Sequence, residues 1–505
     1  MPVISNNIFG AYQTATLEAL TIPVSYTDVS AVDPIVGQVF TTQQQIDDFL
    51  SDNSAVSFKH LKAIWDALPV FIQHTITFSL ATGVHRPRPI DTATAWALTN
   101  KIFSPIAGKV VVTGIAPASY IPIHGSLVGL NITGVQTGSG DPWLDFAGTP
   151  FLGFNLKGSM AVLSTGQTVM IHDHTDSRLF VNNALSPNPT GGTATVARPA
   201  TILRNSIDDV ATLAASTFDL NSKNYGEANF FGGRFELTDV LVDPFGGAGT
   251  GMNLSGAQCA ITRCIMDQLS MIAAFGKTPN GNSFSISNRS LAIFNTCSHL
   301  NTIPAGAGCD LLVFIQDGGV SFQFCYLQGS EDGMDAYALG GLNSVTIFSS
   351  VFESIGVSGV APAALRLNNG MRLDLFEPTA SSKRNEFRGQ AANVPSIYMT
   401  TGSLMSRPEF HACIFRDNGG AAVRMGDRAS MDISDSTVGL LDGTGNTDFG
   451  FRIDGPQANV RLNSGTTVAG TAGNVRLADG SVVTYASLTP GDYHSDVALN
   501  LLSKV

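Results

Sequence analysis

The chain has 505 residues, far more than one ordinary hydrophobic core needs, so either several domains or one elongated solenoid is expected. Charged residues make up only 13% and glycine occurs 52 times, a composition that favours a β-solenoid with Ser, Thr, Asn and Gly faces over an α/β enzyme. The formal net charge of −12 disfavours nucleic acid and anionic membrane surfaces as partners.

The N-terminal residues 1–57 form an acidic arm without any Lys or Arg. Thr42 and Gln45 have capping-box spacing ahead of the apolar Ile46, which predicts a short helix. No positively charged leader precedes an apolar run, and no apolar stretch approaches the ~20 residues that span a bilayer, so neither a signal peptide nor membrane insertion is expected. The arm is expected to attach the chain to a larger assembly or to wrap a neighbouring subunit; the alternative is an ordinary flexible terminus.

A helix and a strand are predicted next. Residues 58–68 predict an amphipathic helix whose apolar side holds Phe58, Leu61, Trp65 and Leu68. The alternation in Thr75–Leu80 predicts a strand. A solenoid of parallel strands exposes unpaired backbone at its first coil, and a helix across that end would cover it.

Residues 86–225 carry β signals without a regular period. A second helix is predicted over Asp91–Ser104. Strands are predicted after it at Lys109–Thr113, Tyr120–Ile123, Leu127–Ile132, Phe151–Leu156, Val169–His172 and Arg178–Val181. The prolines and paired glycines of Ser186–Thr195 indicate an exposed loop. This region is either a set of wide early coils with long loops or a separate β-rich cap.

From about residue 226 to 489 the sequence repeats itself. Each copy has an apolar residue, a residue three positions later that is small in most copies, and a third residue, usually apolar, two positions further on. The copies are Leu237/Val240/Val242, Ile261/Cys264/Met266, Ile293/Thr296/Ser298, Phe322/Cys325/Leu327, Ile347/Ser350/Phe352, Phe410/Cys413/Phe415 and Ile433/Ser436/Val438. A second alternating strand lies upstream of each copy, marked by Phe230, Leu254, Ile286, Phe314, Leu339, Leu367, Met399, Met425, Ile453 and Leu477. These markers are 24 to 32 residues apart.

A strand pair, a bend and a third short strand, repeated every ~27 residues, make one coil of a parallel β-helix. The expected fold is therefore all-β: a right-handed single-stranded parallel β-helix of about ten coils with an N-terminal capping helix and an irregular N-terminal arm. The expected divisions are 1–57 for the arm, 58–225 for the capping helix and irregular coils, 226–489 for the regular β-helix and 490–505 for a C-terminal tail.

The cysteines fit the same pattern. Cys264, Cys325 and Cys413 share the small inward position with Ser350 and Ser436, where the wall bends. No zinc-type CxxC pair occurs, so free buried thiols are predicted. Such thiols indicate folding in a reducing cytoplasm.

Two segments resemble those of bacteriophage tail proteins. The run His74–His85, which follows the predicted helix and Pro69, resembles the start of their β-helix, and Val468–Ala486 resembles their last coils. The likeness covers most of 58–489 as a pattern. It implies a virion component of the tail, spike, fibre or baseplate, often a homotrimer, assembled in the host cytoplasm.

The resemblance also implies polysaccharide cleavage by paired carboxylates as one alternative. Glu331, Asp332 and Asp335 are the best candidates for such an acid/base pair, and a solvated turn is the competing interpretation. Weaker candidates are Asp239 with Asp243 and Asp432 with Asp435. All three Trp residues lie outside the repeats, which disfavours a sugar-cleaving face there.

His172, His174 and Asp176 alternate on a predicted strand and would face the same way. They could hold a transition metal on the axis of a trimer; ordinary hydrogen-bonded histidines are the alternative. The sequence predicts no catalytic residue, cofactor or metal with a recognisable motif.

The leading hypothesis is a non-enzymatic structural component of a phage virion, acting as a rigid spacer or host-surface adhesin. Its expected partners are other copies of the chain in a homotrimer, tail or baseplate proteins through residues 1–57, and a host surface glycan. A tailspike depolymerase and a bacterial surface adhesin are the alternatives.

Overall fold

The computed structural model describes residues 18–24, 40–52, 68–85, 101–114, 120–137, 141–204, 228–243, 252–267, 282–300, 311–329, 334–337, 344–355, 363–368, 370–375, 384–400, 409–411, 413–434, 437–438, 449–454, 458–462, 467–468, 473–477, 482–485, 493–495 and 501–504. These ranges hold 41 β-strands, one α-helix and one 3-10 turn, so the fold is all-β with almost no helix. No helix within them has the length and apolarity that crossing a bilayer requires.

The elements are numbered in chain order. The first are β1 (Leu20–Val24), α1 (Gln43–Asp52), β2 (Phe71–Ile72), β3 (Thr75–Leu80), β4 (Gly83–His85), β5 (Ile102–Phe103) and β6 (Lys109–Gly114). Then come β7 (Tyr120–Pro122), the 3-10 turn (Gly125–Leu127), β8 (Leu130–Gln136), β9 (Trp143–Phe146), β10 (Met160–Leu163), β11 (Thr168–His174), β12 (Arg178–Val181) and β13 (Thr193–Pro199). They are followed by β14 (Thr201–Arg204), β15 (Ala228–Thr238), β16 (Leu241–Asp243), β17 (Met252–Thr262) and β18 (Ile265–Asp267).

The remaining strands are shorter on average. They are β19 (Asn282–Asn295), β20 (Ser298–Leu300), β21 (Leu311–Gln323), β22 (Tyr326–Gln328), β23 (Met334–Tyr337), β24 (Ser344–Phe348), β25 (Val351–Glu353), β26 (Leu365–Asn368), β27 (Arg372–Leu375), β28 (Asn385–Arg388), β29 (Ile397–Met399), β30 (Glu409–His411), β31 (Cys413–Arg416), β32 (Val423–Met425), β33 (Ser430–Ser434), β34 (Thr437–Val438), β35 (Phe449–Ile453), β36 (Asn459–Leu462), β37 (Thr467–Val468), β38 (Gly473–Leu477), β39 (Val482–Tyr485), β40 (Tyr493–Ser495) and β41 (Leu501–Lys504).

The predicted helix at Thr42 is confirmed. The Thr42 N–H donates to Gln45 Oε1 at 3.1 Å, and the Gln45 N–H donates to Thr42 Oγ1 at 3.3 Å, which is a reciprocal capping box. The capping helix predicted over 58–68 lies outside the described residues apart from its last residue. The helix predicted over Asp91–Ser104 is wrong where the structure describes it, because Ile102–Phe103 is a strand paired with β2.

The chain divides into two compact units: residues 1–121, 198–284 and 290–292 form unit 1, and residues 122–197, 285–289 and 293–505 form unit 2. In unit 1, β1, β3, β6, β15 and β17 pair in parallel, and β4, β14, β16 and β18 form a second parallel set. Buried apolar side chains follow one another across the first set, as at Ile22, Phe78 and Val112.

Between β6 and β14 the chain leaves these parallel sets and builds a separate domain. Strands β8, β9, β12, β11, β10 and β13 pair antiparallel in that order and close on themselves, giving a six-stranded barrel. Its interior is one apolar cluster that includes Leu144, Phe151 and Val196. Within the predicted region 86–225, β6 and β14 therefore belong to the parallel sets of unit 1, and residues 122–197 form the barrel region of unit 2.

Unit 2 also contains three ladders, each made of parallel strands. Successive strands along the chain join the first, the second and the third ladder in turn, and this order repeats. The first ladder is β23, β26, β29, β32, β35, β38 and β40; the second is β24, β27, β30, β33, β36, β39 and β41. The third ladder contains β20, β22, β25, β28, β31, β34 and β37. The long strand β21 starts both the first and the second ladder.

The predicted columns are confirmed over most of unit 2. Leu367, Met399, Met425, Ile453 and Leu477 are register partners from strand to strand. Cys325 and Cys413 lie on one line with Cys297, Ser350 and Asn385. The five described cysteines are buried thiols outside any disulfide, and burial raises the pKa of the Cys325 and Cys413 thiols, so both stay protonated.

The sequence prediction was wrong at four points in the ladders. The column of Leu367 continues through Ala336 rather than Leu339 and through Ile315 rather than Phe314. The copy at 293/296/298 is shifted by one residue, because Phe294 stacks on Phe322 and His299 pairs with Leu327. One complete repeat was missed: Leu375, Asn385 and Phe387 occupy its three positions, and nine residues, instead of two, separate the first position from the second in the sequence. In the barrel, Phe151–Leu156 is not a strand.

Bends between the second and third ladders place one residue in the left-handed region. Thr296, Phe324 and Ser349 have φ values of 54°, 55° and 50°. Such a bend leaves backbone groups that need new partners. The Asn385 side chain is the partner of two such groups. Its Nδ2 donates to the Ile347 carbonyl at 3.0 Å, and its Oδ1 accepts from the Ser350 N–H at 3.2 Å.

Candidate functional site

The third ladder presents a charged outer face. Phe352, Phe387 and Phe415 lie in register inside, with ring centroids 4.8 Å and 5.2 Å apart. The next residue of each strand points the other way, which aligns Glu353, Arg388 and Arg416 outside. The sequence motif is therefore a phenylalanine followed by a charged residue, and it occurs in β25, β28 and β31.

Arg388 joins this face to the barrel. Its side chain is only 7% exposed, and its Nη2 donates to Glu353 Oε2 at 2.6 Å and to the His172 carbonyl of the barrel at 2.9 Å. Its Nη1 lies 3.4 Å from Asp173 Oδ2, also in the barrel. Burial opposes the charge, yet the carboxylates of Glu386, Glu353 and Asp173 together raise the pKa of Arg388, so it stays protonated.

Lys157 makes a second connection from the barrel. Its Nζ lies 2.8 Å from Glu353 Oε1, and the Tyr326 hydroxyl donates to Glu353 Oε2 at 2.9 Å. Burial opposes ionisation of Glu353, but Arg388 and Lys157 outweigh it and lower its pKa. A carboxylate held ionised by two cations suits electrostatic anchoring better than proton donation at neutral pH.

The network balances its charges. Glu386 is 1% exposed and lies 2.5 Å from Arg416 Nε and 3.6 Å from Arg388 Nη1. Three cations, Lys157, Arg388 and Arg416, thus face three anions, Asp173, Glu353 and Glu386. We call these six residues the Arg388 network.

A line of buried hydrogen bonds runs beside the Arg388 network. The Asn182 Nδ2 donates to the Cys325 carbonyl at 2.7 Å, and the Ser298 hydroxyl donates to the Gly158 carbonyl at 2.6 Å. Gly158 has a φ of 75°, and a Cβ there would lie 2.3 Å from Leu300 Cδ2. Glycine at this position lets the barrel backbone approach the third ladder closely.

The histidine pair does not face one way. A β-bulge between Ile171 and Asp173 interrupts the pairing of β11 with β12, so the alternation breaks at His172. The His172 side chain is 2% exposed with its Nε2 3.4 Å from Asp141 Oδ1, His174 is half-buried, and Asp176 is exposed. Within the described residues, no group of three or more His, Cys, Asp or Glu side chains has metal-binding geometry.

The structure describes only some of the carboxylate candidates. Glu331 and Asp332 lie outside the described residues, and the backbone of Asp335 pairs with Phe314 and Arg366 in the first ladder. Of the weaker candidates, Asp239 is buried in unit 1, where it accepts two bonds from Arg263 at 2.7 and 2.8 Å and one from the Tyr120 hydroxyl. Burial, and then the charge of Asp239, raises the pKa of Tyr120. Asp239 is thus a paired structural carboxylate.

Sequence reasoning missed the Arg388 network because its members come from two regions far apart in the chain. A signal was present: Val351-Phe352-Glu353, Glu386-Phe387-Arg388 and Ile414-Phe415-Arg416 align once Phe387 is recognised. That alignment would have predicted a charged outer column. It would not have predicted Lys157 and Asp173 as partners.

No protein-family description matches the chain, and no curated protein sequence does. Solved structures give distant matches. A glycoside hydrolase is 9% identical with a TM-score of 0.32, covering 96% of this chain and 95% of that one. A GH136 lacto-N-biosidase from Eubacterium ramulus is 9% identical with a TM-score of 0.35, covering 96% and 68%. The tailspike protein gp49 from Pseudomonas phage LKA1 is 11% identical with a TM-score of 0.24, covering 95% and 78%. At these TM-scores the matches define no family for the chain.

Proposed function

We propose that the chain is a structural, surface-attaching component of a bacteriophage tail, baseplate or spike. In this proposal the parallel ladders wind as a right-handed β-helix that carries the barrel toward the host surface. A right-handed winding agrees with the strong preference of parallel connections within one sheet. The repeated order of the three ladders along unit 2 supports a helical path of this kind.

The Arg388 network is the observation that carries the proposal. A flexible tether would suffice if the barrel only had to stay attached. Here a buried guanidinium binds barrel and ladder at once, and rotating the barrel away would break its contacts with Asp173 and the His172 carbonyl and would separate Lys157 from Glu353. Such a rigid mount suits a protein that must hold a binding domain at a fixed angle under load.

Attachment to the particle is assigned in this proposal to residues 1–57, and trimer formation to contacts between copies of the chain. The resemblance of His74–His85 to the start of phage tail β-helices supports the virion assignment. Within that run, Thr75–Leu80 is a strand of the parallel set in unit 1.

A mass-spectrometric inventory of purified phage particles tests the proposal. The chain is expected among the virion proteins, with a copy number that is a multiple of three. Its absence from washed particles would contradict the virion assignment. Removal of host capsule by the purified chain, lost in Asp332→Asn or Asp335→Asn, would replace the proposal with the polysaccharide-cleaving alternative.

A further inference from the structure

The outer wall of the barrel carries an aromatic and polar group that the Arg388 network does not use. On β9, Leu144 and Phe146 point into the barrel core, so Trp143 and Asp145 point outward. Register pairs Trp143 with Gln136 on β8 and with Phe180 on β12. Asp145 pairs in the same way with Gly134 and Arg178. We call this group, Gly134, Gln136, Trp143, Asp145, Arg178 and Phe180, the barrel platform.

Each planar side chain of the barrel platform is held in place. The Arg178 Nε and Nη2 donate to the two Asp145 oxygens at 2.5 and 2.9 Å. Its guanidinium carbon lies 3.9 Å from the centroid of the Trp143 ring and 5.9 Å from that of Phe180. The Trp143 indole N–H donates to Gln136 Oε1. These contacts fix the rotamers before any ligand arrives, which lowers the entropic cost of binding.

The barrel platform keeps polar capacity toward solvent. The side chains of Arg178 and Asp145 are 35% and 30% exposed. Within the part of the chain that the structure describes, Arg178 donates hydrogen bonds from Nε and Nη2, so its Nη1 is available as a donor to a ligand. The Asp145 oxygens have further lone pairs. One ligand hydroxyl can therefore accept from Arg178 while another donates to Asp145.

Gly134 opens a notch in the barrel platform. A Cβ built there would lie 3.5 Å from Asp145 Cβ and 3.6 Å from Trp143 Cζ3, both ordinary contact distances. Any larger side chain would therefore fill the space between the indole and the carboxylate. Glycine leaves it open, next to an aromatic edge on one side and a hydrogen-bonding pair on the other.

We infer that the barrel platform is a binding site for an uncharged saccharide. Because the Arg178 guanidinium covers one face of the Trp143 ring, the apolar C–H groups of a pyranose would pack against the indole edge beside Gly134, and its hydroxyls can both donate and accept hydrogen bonds. The paired Arg178 and Asp145 give the site no net charge, and the chain carries −12, so an acidic glycan gains nothing there and is repelled at long range. This inference is independent of the virion assignment.

A glycan microarray with uncharged glucan, mannan and galactan oligosaccharides beside hyaluronan and polygalacturonate oligosaccharides tests the inference. The full chain is expected to bind at least one uncharged oligosaccharide and none of the acidic ones. Binding to acidic oligosaccharides only, or to no oligosaccharide, would overturn the assignment. Neither result would bear on whether the chain is found in phage particles.

Calorimetric titration with the best-retained uncharged oligosaccharide then places the site. Trp143→Ala and Gly134→Leu are each expected to weaken binding at least tenfold, the first by removing the aromatic edge beside the notch and the second by filling the notch. Leu152→Ala is the matched control, because Leu152 is 64% exposed on the barrel and outside the platform. Unchanged affinity in a folded Gly134→Leu variant would overturn the placement even if Trp143→Ala fails to fold.

Discussion

The barrel and the third ladder bury their apolar side chains in two different ways. The barrel closes its six strands around one apolar cluster, so every wall strand shares the same core. The third ladder has no such closure; each strand contacts the one before and the one after, and its core is a column such as Phe352, Phe387 and Phe415. Damage should therefore spread through the barrel but stay local in the ladder.

The largest effect is expected where the two regions meet. Arg388→Met should lower the free energy of unfolding of unit 2 by about 3 to 5 kcal/mol, because Glu353, Glu386 and Asp173 lose a buried cation. Urea denaturation measures the change. Arg424→Met is the control: Arg424 pairs with Asp454 but is 36% exposed, so about 1 kcal/mol or less is expected. Equal losses in the two variants would show that the buried network contributes no more than a surface pair.

The column of the ladder is tested by Phe387→Ala. Removing the ring between Phe352 and Phe415 should cost about 3 to 4 kcal/mol. Hydrogen exchange should show lost protection in β25, β28 and β31 only. The matched barrel variant, Leu144→Ala, should lower protection in all six barrel strands. Uniform loss of protection in both variants would remove the distinction between the two regions.

The bends are tested by Asn385→Ala. Two buried backbone groups, the Ile347 carbonyl and the Ser350 N–H, would lose their side-chain partner. The expected cost is about 2 to 3 kcal/mol, read by the same denaturation experiment. Thr190→Ala, in an exposed barrel loop, should change stability by less than about 0.5 kcal/mol.

The stability of the third ladder is expected to depend on pH through His299. Burial lowers the pKa of His299 to about 3, against the opposing backbone hydrogen bond at Gln328. The unfolded chain takes up a proton near pH ~6.5 while the folded chain does not, so stability is lost as pH falls from 6.5 toward 3. Between pH 7 and pH 5 the loss should be about 2 kcal/mol.

His299→Leu, which copies its register neighbour Leu327, removes that proton uptake. The difference in stability between His299→Leu and the parent chain should therefore grow as pH falls from 7 to 5. A difference that stays constant over this range would show that His299 takes up a proton in the folded chain as readily as in the unfolded chain.

Periodicity made the ladders predictable and left the barrel hidden. Columns such as Leu367, Met399 and Met425 recur at a nearly constant spacing, so the pattern alone gave their register. The barrel pairs β8 with β13 and β10 with β13 across unrelated intervals, and strands such as Trp143–Phe146 are too short to stand out. Phe387 was missed because nine residues separate Leu375 from Asn385 in the sequence, where the other copies have two.

The functional residues were harder to predict for the same reason. Arg388 and Glu353 are neighbours in the ladder, but Asp173 and Lys157 reach them only because the barrel packs there. The bulge at His172 also broke the alternation on which a histidine pair was predicted. Local alternation predicts which way a side chain points. It does not predict which side chains of the barrel will contact it.

A distance measurement between spin labels tests most directly whether the Arg388 network holds the barrel in a fixed position against the ladders. Labels on cysteines introduced at the exposed Thr165 of the barrel and Arg372 of the second ladder, in a Cys309→Ser background, report the position of one region relative to the other. The parent chain should give one narrow distance distribution, and Arg388→Met should broaden it. A broad distribution in the parent chain, or no change on Arg388→Met, would contradict the account.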